Sequence, residues 1–190
     1  MLHDFEAKLA SEYDIKRLGE PRYFLGIRLI RNREDRSISL VQDAYIDKIV
    51  KRFNLENGKD TWSPIPARDL LKHSGTASPS QVFSYQQKIG SINFAATTTR
   101  PDVAKAVLLL SEHLQNPSPD HIEAANQCLR YLYTTRYYGI TYSGTSSSNS
   151  ANAFVAASDA SFADDRETRH SSDGYTFSLF GGLVDWSAKK

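Results

Sequence analysis

The side chains best suited to holding a charged partner lie in two short basic runs, and neither comes with a complete catalytic set. Arg28, Arg31, Arg33 and Arg36 crowd one segment. Guanidinium groups at that density suit phosphate oxygens, and they equally suit a charged edge that discourages aggregation. Lys48, Lys51 and Arg52 follow in the next segment, where they form either a phosphate-facing surface or a solvated one. His121 and Cys128 are metal-ligating types, but no His, Cys or acid stands at a zinc-like spacing from His121. A structural role in the first turn of a helix is expected for His121, and a small buried place for Cys128. The chain has no Gly-x-Ser-x-Gly elbow, no phosphate-cradling glycine loop and no dinucleotide fingerprint. No pair of aspartates follows a strand, so the acids that metal-assisted phosphoryl transfer needs are not evident.

A length of 190 residues suits one domain, or one plus part of another. With a formal net charge of +1 there is no general attraction to a polyanion, and any such site must be a local patch. Cys128 is the single cysteine, which rules out an internal disulfide and makes no demand for an oxidising compartment. No apolar run approaches the roughly 20 residues of a membrane span. The first residues, Met1 to Glu6, lack the basic and then apolar layout of a signal peptide. A cytoplasmic or nuclear location without a membrane partner is therefore expected.

Periodicity supplies the elements that position these residues. Phe5, Leu9 and Tyr13, with Leu2, predict a helix from residue 2 to about 14, and Gly19-Glu20-Pro21 then breaks it. A strand from Arg22 to Ile30 and a second from Ser37 to Val41 predict a β-hairpin, with Gly26 either at a close backbone approach or at a bulge. Ile46, Ile49, Val50 and Phe53 give a surface helix over Gln42 to Phe53 that carries Lys48, Lys51 and Arg52 away from its apolar face. Asn57 to Ser80 is polar and broken by prolines, which predicts a long connecting loop.

Two helices at a tight corner are predicted from Ser84 to Leu114, with stripes of Tyr85, Ile89, Ile92, Ala96 and of Val103, Val107, Leu110, Leu114. At the corner, Thr99 reads as an N-cap with Asp102 in the capping-box position, Pro101 in the first turn and Arg100 exposed. Ser118 and Pro119 start a further helix with Ile122, Ala125, Leu129 and Leu132 inward. Tyr138 to Tyr142 is a short strand, and Gly144 to Ser150 is a linker by composition. Strands over Asn152–Ser158, Asp173–Leu179 and Leu183–Trp186 complete an antiparallel meander.

Several of these segments together resemble the polymerase polyprotein of copia-type retrotransposons. The matching pieces are Tyr85-Gln86, Gly90-Ser91-Ile92 and Thr99-Arg100-Pro101-Asp102-Val103-Ala104. Phe24-Leu25-Gly26-Ile27, Ser63-Pro64-Ile65-Pro66 and the helix from His121 to Leu132 occur in the same order. Ser158 to Asp165, Arg169, Ser171, Gly174-Tyr175-Thr176-Phe177 and Trp186 to Lys190 resemble the opening of that family's ribonuclease H domain.

The resemblance implies that the hairpin with Phe24, Leu25, Gly26 and Arg28 is the primer grip. It places Lys48, Lys51 and Arg52 at the start of the thumb, along the template and primer backbone. It makes Asp159 the first ribonuclease H acid and a ligand of Mg2+ in the intact parent enzyme, while Asp164 and Asp165 match no ligand. The expected chain begins after the polymerase Asp pair and ends before the remaining ribonuclease H acids. On that expectation it needs no cofactor alone and is inactive by itself. Its partners would be an RNA/DNA template-primer, or a protein held at exposed apolar faces.

The fold class expected is α+β. Residues 1–143 form the reverse transcriptase part, with an N-terminal helix, a hairpin and a helical thumb and connection region. Residues 144–150 form the linker, and 151–190 an incomplete ribonuclease H-like antiparallel sheet.

Overall fold

The computed structural model describes residues 2–16, 18–144, 154–162 and 169–190. The expected linker, apart from Gly144, and the acids Asp164 and Asp165 lie outside the described residues. The described residues form five α-helices, the first of them α1 (Leu2–Glu12), and two antiparallel sheets, an α+β fold.

The core forms where the amphipathic helices α2 (Asp43–Arg52), α3 (Pro79–Thr98), α4 (Ala104–Ser111) and α5 (Pro119–Thr134) turn their apolar stripes on one another. Ile46 and Val50 of α2, Tyr85, Ile89 and Ile92 of α3, Val103 and Leu110 around α4, and Cys128, Leu129 and Leu132 of α5 are all buried there. Burial pushes the Cys128 thiol up to about 12. Tyr85 satisfies its phenol inside this core by donating to the Leu110 carbonyl at 2.7 Å, so an aromatic ring fills the space without an unpaired hydroxyl.

Helix α3 begins at Pro79, earlier than the apolar stripe alone suggested. Ser78 caps it, its hydroxyl accepting from the Gln81 amide while the Gln81 side chain accepts from the Ser78 amide. Ser118 and His121 repeat that box at α5, where His121 Nδ1 accepts from the Ser118 amide at 2.9 Å. The expected first-turn role of His121 is what the geometry shows.

The first sheet runs in the order β1 (Tyr23–Phe24), β2 (Ile27–Asn32), β3 (Ser37–Val41), β4 (Gly139–Ser143). The strand expected from Arg22 to Ile30 is instead a hairpin in itself. Phe24 pairs with Ile27, and Leu25 and Gly26 between them have φ of 51° and 81°. Two central residues with positive φ make a type I′ turn, whose twist matches that of the flanking strands. Gly26 is therefore required by φ, and space around its Cα is open, which removes the close-approach and bulge readings.

The second sheet is the meander β5 (Phe154–Ser161), β6 (Ser172–Leu179), β7 (Gly182–Lys189). It docks on the first part through hydrogen bonds and an ion pair. Trp186 Nε1 donates to the Ala96 carbonyl at 2.8 Å, and Tyr142 donates to the Leu183 carbonyl at 2.7 Å. The Ser143 amide donates to the Phe180 carbonyl at 2.9 Å, and Lys190 reaches Glu112 at 2.8 Å. A Cβ on Gly182 would lie 2.5 Å from the Tyr142 ring, so only glycine lets the two sheets meet this closely.

Candidate nucleic-acid interface

The hairpin turn carries the exposed apolar groups Tyr23, Phe24 and Leu25, and Leu25 is 80% exposed. The arginines behind the turn are less free than their number suggests. Arg28 forms a two-pronged pair with Asp43, Nε to Oδ1 at 3.2 Å and a terminal nitrogen to Oδ2 at 3.0 Å. The Tyr137 ring lies 5.9 Å from its guanidinium carbon. Arg33 and Arg31 share Glu20, at 3.1 and 3.9 Å. Arg28 thus ties β2 to the start of α2, a positioning role that uses the planar fork of the guanidinium.

On α2 the separation expected from the sequence is present. Ile46, Ile49 and Val50 are buried, while Lys48, Lys51 and Arg52 are exposed. Two cations lie near the Phe53 ring, the Arg52 guanidinium carbon and Lys88 Nζ each 5.6 Å from its centre. Lys88 was not singled out by the sequence, because it lies among the apolar positions of α3 with nothing to distinguish it. It donates to Asn126 at 2.6 Å, and burial lowers its pKa. Arg130 of α5 pairs with Glu123 and lies against Gly58 in the loop after α2. The Glu123 carboxyl stays below its ordinary pKa: burial acts to raise it, and the hydrogen bonds from Arg130 and Asn126 and the charges of Arg130 and Lys88 outweigh that.

Thr99, Arg100, Pro101 and Asp102 form a structural corner unlike the one expected. Thr99 ends α3, its amide returning to the Ala95 carbonyl, and its hydroxyl donates to Gln42 Oε1 at 2.8 Å. It does not cap the following helix. Pro101 opens a single 3-10 turn over Pro101–Val103 before α4. Arg100, expected in solvent, is 1% exposed. Its Nε and a terminal nitrogen meet Asp102 at 2.9 and 2.6 Å, and it donates to the Thr135 carbonyl and hydroxyl at 3.1 and 2.6 Å. Asp102 is held for this pair rather than for a helix cap. It also accepts from the Tyr131 hydroxyl at 2.8 Å.

Asp159 lies on β5 opposite Gly174, on the same face of the sheet as Trp186, and lines a cleft of about 460 Å3 closed on its other side by Pro101, Ala104 and Leu108. Its Oδ1 accepts from the Ala160 amide at 2.9 Å. Asp173 borders the same cleft, but the strand alternation turns its side chain to the opposite face. Among the described residues no group of three or more His, Cys, Asp or Glu side chains gathers to hold a metal ion. A two-cation site needs several carboxylates, so the described residues do not fit Mg2+ as a resident catalytic ion.

No described helix is long and apolar enough to cross a membrane. A family model described as reverse transcriptase (RNA-dependent DNA polymerase) matches residues 1–67. The retrovirus-related Pol polyprotein from transposon TNT 1-94 of Nicotiana tabacum is 32% identical over all of this chain, which covers 14% of that protein. A Ty5-1 transposon protein of Saccharomyces cerevisiae is 34% identical over 96% of this chain and 58% of its own length. The secreted RxLR effector protein 161 of Plasmopara viticola is 40% identical over 56% of this chain and 72% of its own. The chain thus spans about one seventh of the tobacco polyprotein and somewhat over half of the yeast protein. No solved structure matches it.

Proposed function

Because the chain belongs to the copia-type retrotransposon Pol polyprotein family, we propose that it serves the reverse transcriptase as the part that grips template and primer, without phosphoryl-transfer chemistry of its own. One observation supports the grip above the others: Lys48, Lys51 and Arg52 stand exposed on α2 while its opposite face is locked into the core. Cations on a helix already fixed in the core have only their own side chains to order when they meet a phosphate backbone. They contribute affinity by releasing counterions, which makes binding fall with salt. The hairpin, tied to α2 through Arg28 and Asp43, would present Phe24 and Leu25 beside that backbone.

Asp159 is the single acid that family resemblance assigns to ribonuclease H chemistry here. One carboxylate with waters is a weak Mg2+ site, and cleavage therefore needs acids from elsewhere. Binding to a primer-template duplex, measured across a salt series, tests the grip, and indifference to salt would count against it. Cleavage of an RNA/DNA hybrid in Mg2+ that is abolished by Asp159→Asn would instead make this chain a nuclease.

A second reading is a protein-interaction module, favoured by Tyr23, Phe24 and Leu25, which stand exposed next to one another at the hairpin turn. Apolar groups gathered on a surface mark interfaces. A protein partner whose binding is insensitive to salt and lost on Phe24→Ser would favour this reading.

A further inference from the structure

Trp62 lies outside every helix and strand, and it is 72% exposed in a loop that is nevertheless held in place on both sides. The Thr61 amide donates to the Thr134 hydroxyl at 3.1 Å, and Gln127 Nε2 donates to the Ser63 carbonyl at 3.1 Å. Both partners lie on α5, so the indole projects from a segment fastened to a helix immediately before and after it. Ser63 adds a bond from its hydroxyl to the Ile65 carbonyl at 2.7 Å, and Pro64 and Pro66 restrict the chain beyond.

The indole borders an open pocket of about 730 Å3 whose remaining wall is Lys59, Asp60, Thr61, Ser63, Gln127 and Arg130. Arg130 lies flat against this loop because Gly58 has no side chain, a Cβ there falling 2.5 Å from Arg130 Cδ. Asp60 is turned to the Thr134 hydroxyl at 3.5 Å.

We propose that Trp62 is a stacking platform for an unpaired base of a single-stranded nucleic acid, with Gln127 and Arg130 as the polar wall of its pocket and Lys59 beside the backbone phosphate. An exposed aromatic ring on a backbone that is already fixed stacks a base at the cost of ordering one side chain only, and every base has a face to offer it. A paired base keeps its faces between its neighbours, so this pocket selects single strand. The wall carries two cations, Lys59 and Arg130, against one carboxylate, Asp60, and although Glu123 shares Arg130, this polar surround suits a polyanion better than an apolar peptide. This assignment rests on the nucleic-acid grip proposed above and gives it a second, strand-selective point of attachment away from α2.

The test titrates the full chain with oligothymidylate of about 15 nucleotides, near the site sizes of single-strand binders, and with a blunt duplex of similar length. Indole fluorescence and anisotropy are both followed. Single strand should quench indole emission in the parent chain but not in Trp62→Ala, where Trp186 is the remaining indole, and Trp62→Ala should weaken single-strand binding by roughly tenfold, the loss expected for one stacked base. Trp62→Phe should recover part of that loss, and both variants should bind duplex as the parent chain does. Circular dichroism of the variants checks folding, although the exposed ring contributes little to the core. Single-strand affinity unchanged in Trp62→Ala, with duplex binding intact, overturns the pocket and leaves the α2 grip standing. Failure of the parent chain to bind either nucleic acid removes both. Quenching by a proline-rich peptide but not by oligothymidylate gives the pocket to a protein ligand and overturns the assignment.

Discussion

Arg100 and Asp102 face each other through two parallel hydrogen bonds, with the guanidinium buried and the carboxylate at the edge of the core. Every neighbour supports the pair. Thr135 accepts two bonds through its carbonyl and hydroxyl oxygens, Tyr131 donates to Asp102, and the Tyr131 and Tyr138 rings lie 5.5 and 5.7 Å from the guanidinium carbon. A buried cation is tolerated because its donors are met and its countercharge is fixed. The corner thereby joins the end of α3, the start of α4 and the end of α5.

Removing one partner should cost more than removing both. Asp102→Asn leaves a buried guanidinium without its countercharge, a loss of about 3–5 kcal/mol. Arg100→Lys should also be costly, because an ammonium cannot span Asp102 and Thr135 together. The double variant Arg100→Met with Asp102→Leu should be more stable than Asp102→Asn alone. Urea unfolding of the three variants ranks them, and equal losses for single and double variants would contradict the pairing.

Trp186 closes a different gap. The last carbonyls of a helix have no partner within it, and that of Ala96, in the final turn of α3, accepts from the indole Nε1 at 2.8 Å. Trp186→Phe keeps most of the ring and deletes the donor, for an expected loss of about 1–2 kcal/mol. Because β7 carries the second sheet, amide hydrogen exchange should quicken in β5 to β7 and leave α2 and α5 unchanged. Uniform quickening would mean the sheet is not docked through this residue.

The helical part of the fold was legible because its stripes are long and its starts are marked by residues with a local mechanism. Ser118-Pro119 shows this well, since cap and proline act within one turn. Ser78-Pro79 carries the same mark before α3, yet the proline-rich stretch around it hid the start that the capping box with Gln81 defines. Thr99 misled for the opposite reason. Its spacing to Asp102 is that of a capping box, but Asp102 has a stronger partner in Arg100, and only tertiary burial reveals it. The unbroken apolar run from Tyr23 to Ile27 likewise concealed a turn, because Leu25 is a residue that turns with positive φ rarely use. For the candidate site, charge pattern marked the solvent-facing side of α2 but could not show that Arg28 is already paired. Lys88 and Trp62 had no neighbouring signal at all, being placed by hydrogen bonds to α5 from their own side chain or loop.

The difference between paired and unpaired cations predicts a graded response to salt. Changing Lys48, Lys51 and Arg52 together to Gln should flatten the slope of log affinity against log salt by up to about 3, roughly one for each phosphate no longer neutralised. Arg28→Gln should change that slope little, since Asp43 already holds the guanidinium. Its effect should be on stability instead. A slope that falls equally in both variants would place Arg28 on the phosphates after all.

His121 gives the fold an acid sensitivity with a definite sign. Its Nδ1 accepts from the Ser118 amide, so the neutral ring carries its proton on Nε2, buried and stacked on His113 with 3.6 Å between ring centres. Burial, followed by the nearby His113, lowers its pKa from 6.5 to about 4. Between those values the unfolded chain binds more protons than the folded one. The contribution of His121 is therefore complete above pH 6.5 and declines as the pH falls toward 4, where protonation of Nδ1 breaks the cap. His121→Gln places at α5 the residue that closes the same box at α3, Gln81, and removes the titration. Urea midpoints at about pH 7 and about pH 4.5 should differ less in this variant than in the parent chain.

Leu25 combines a backbone conformation that suits it poorly with a side chain left in solvent. At φ 51° its Cβ crowds the following carbonyl, a strain of about 1–2 kcal/mol that asparagine, common in type I′ turns, relieves in part. Leu25→Asn creates the preferred Asn-Gly turn and should raise the urea midpoint without changing the slope of unfolding. The same change removes the most exposed apolar group of the hairpin turn. If the turn touches a nucleic acid or a protein, affinity should fall while stability rises, and opposite movements cannot come from general loss of fold. A variant that gains stability and keeps every affinity would show that Leu25 touches neither.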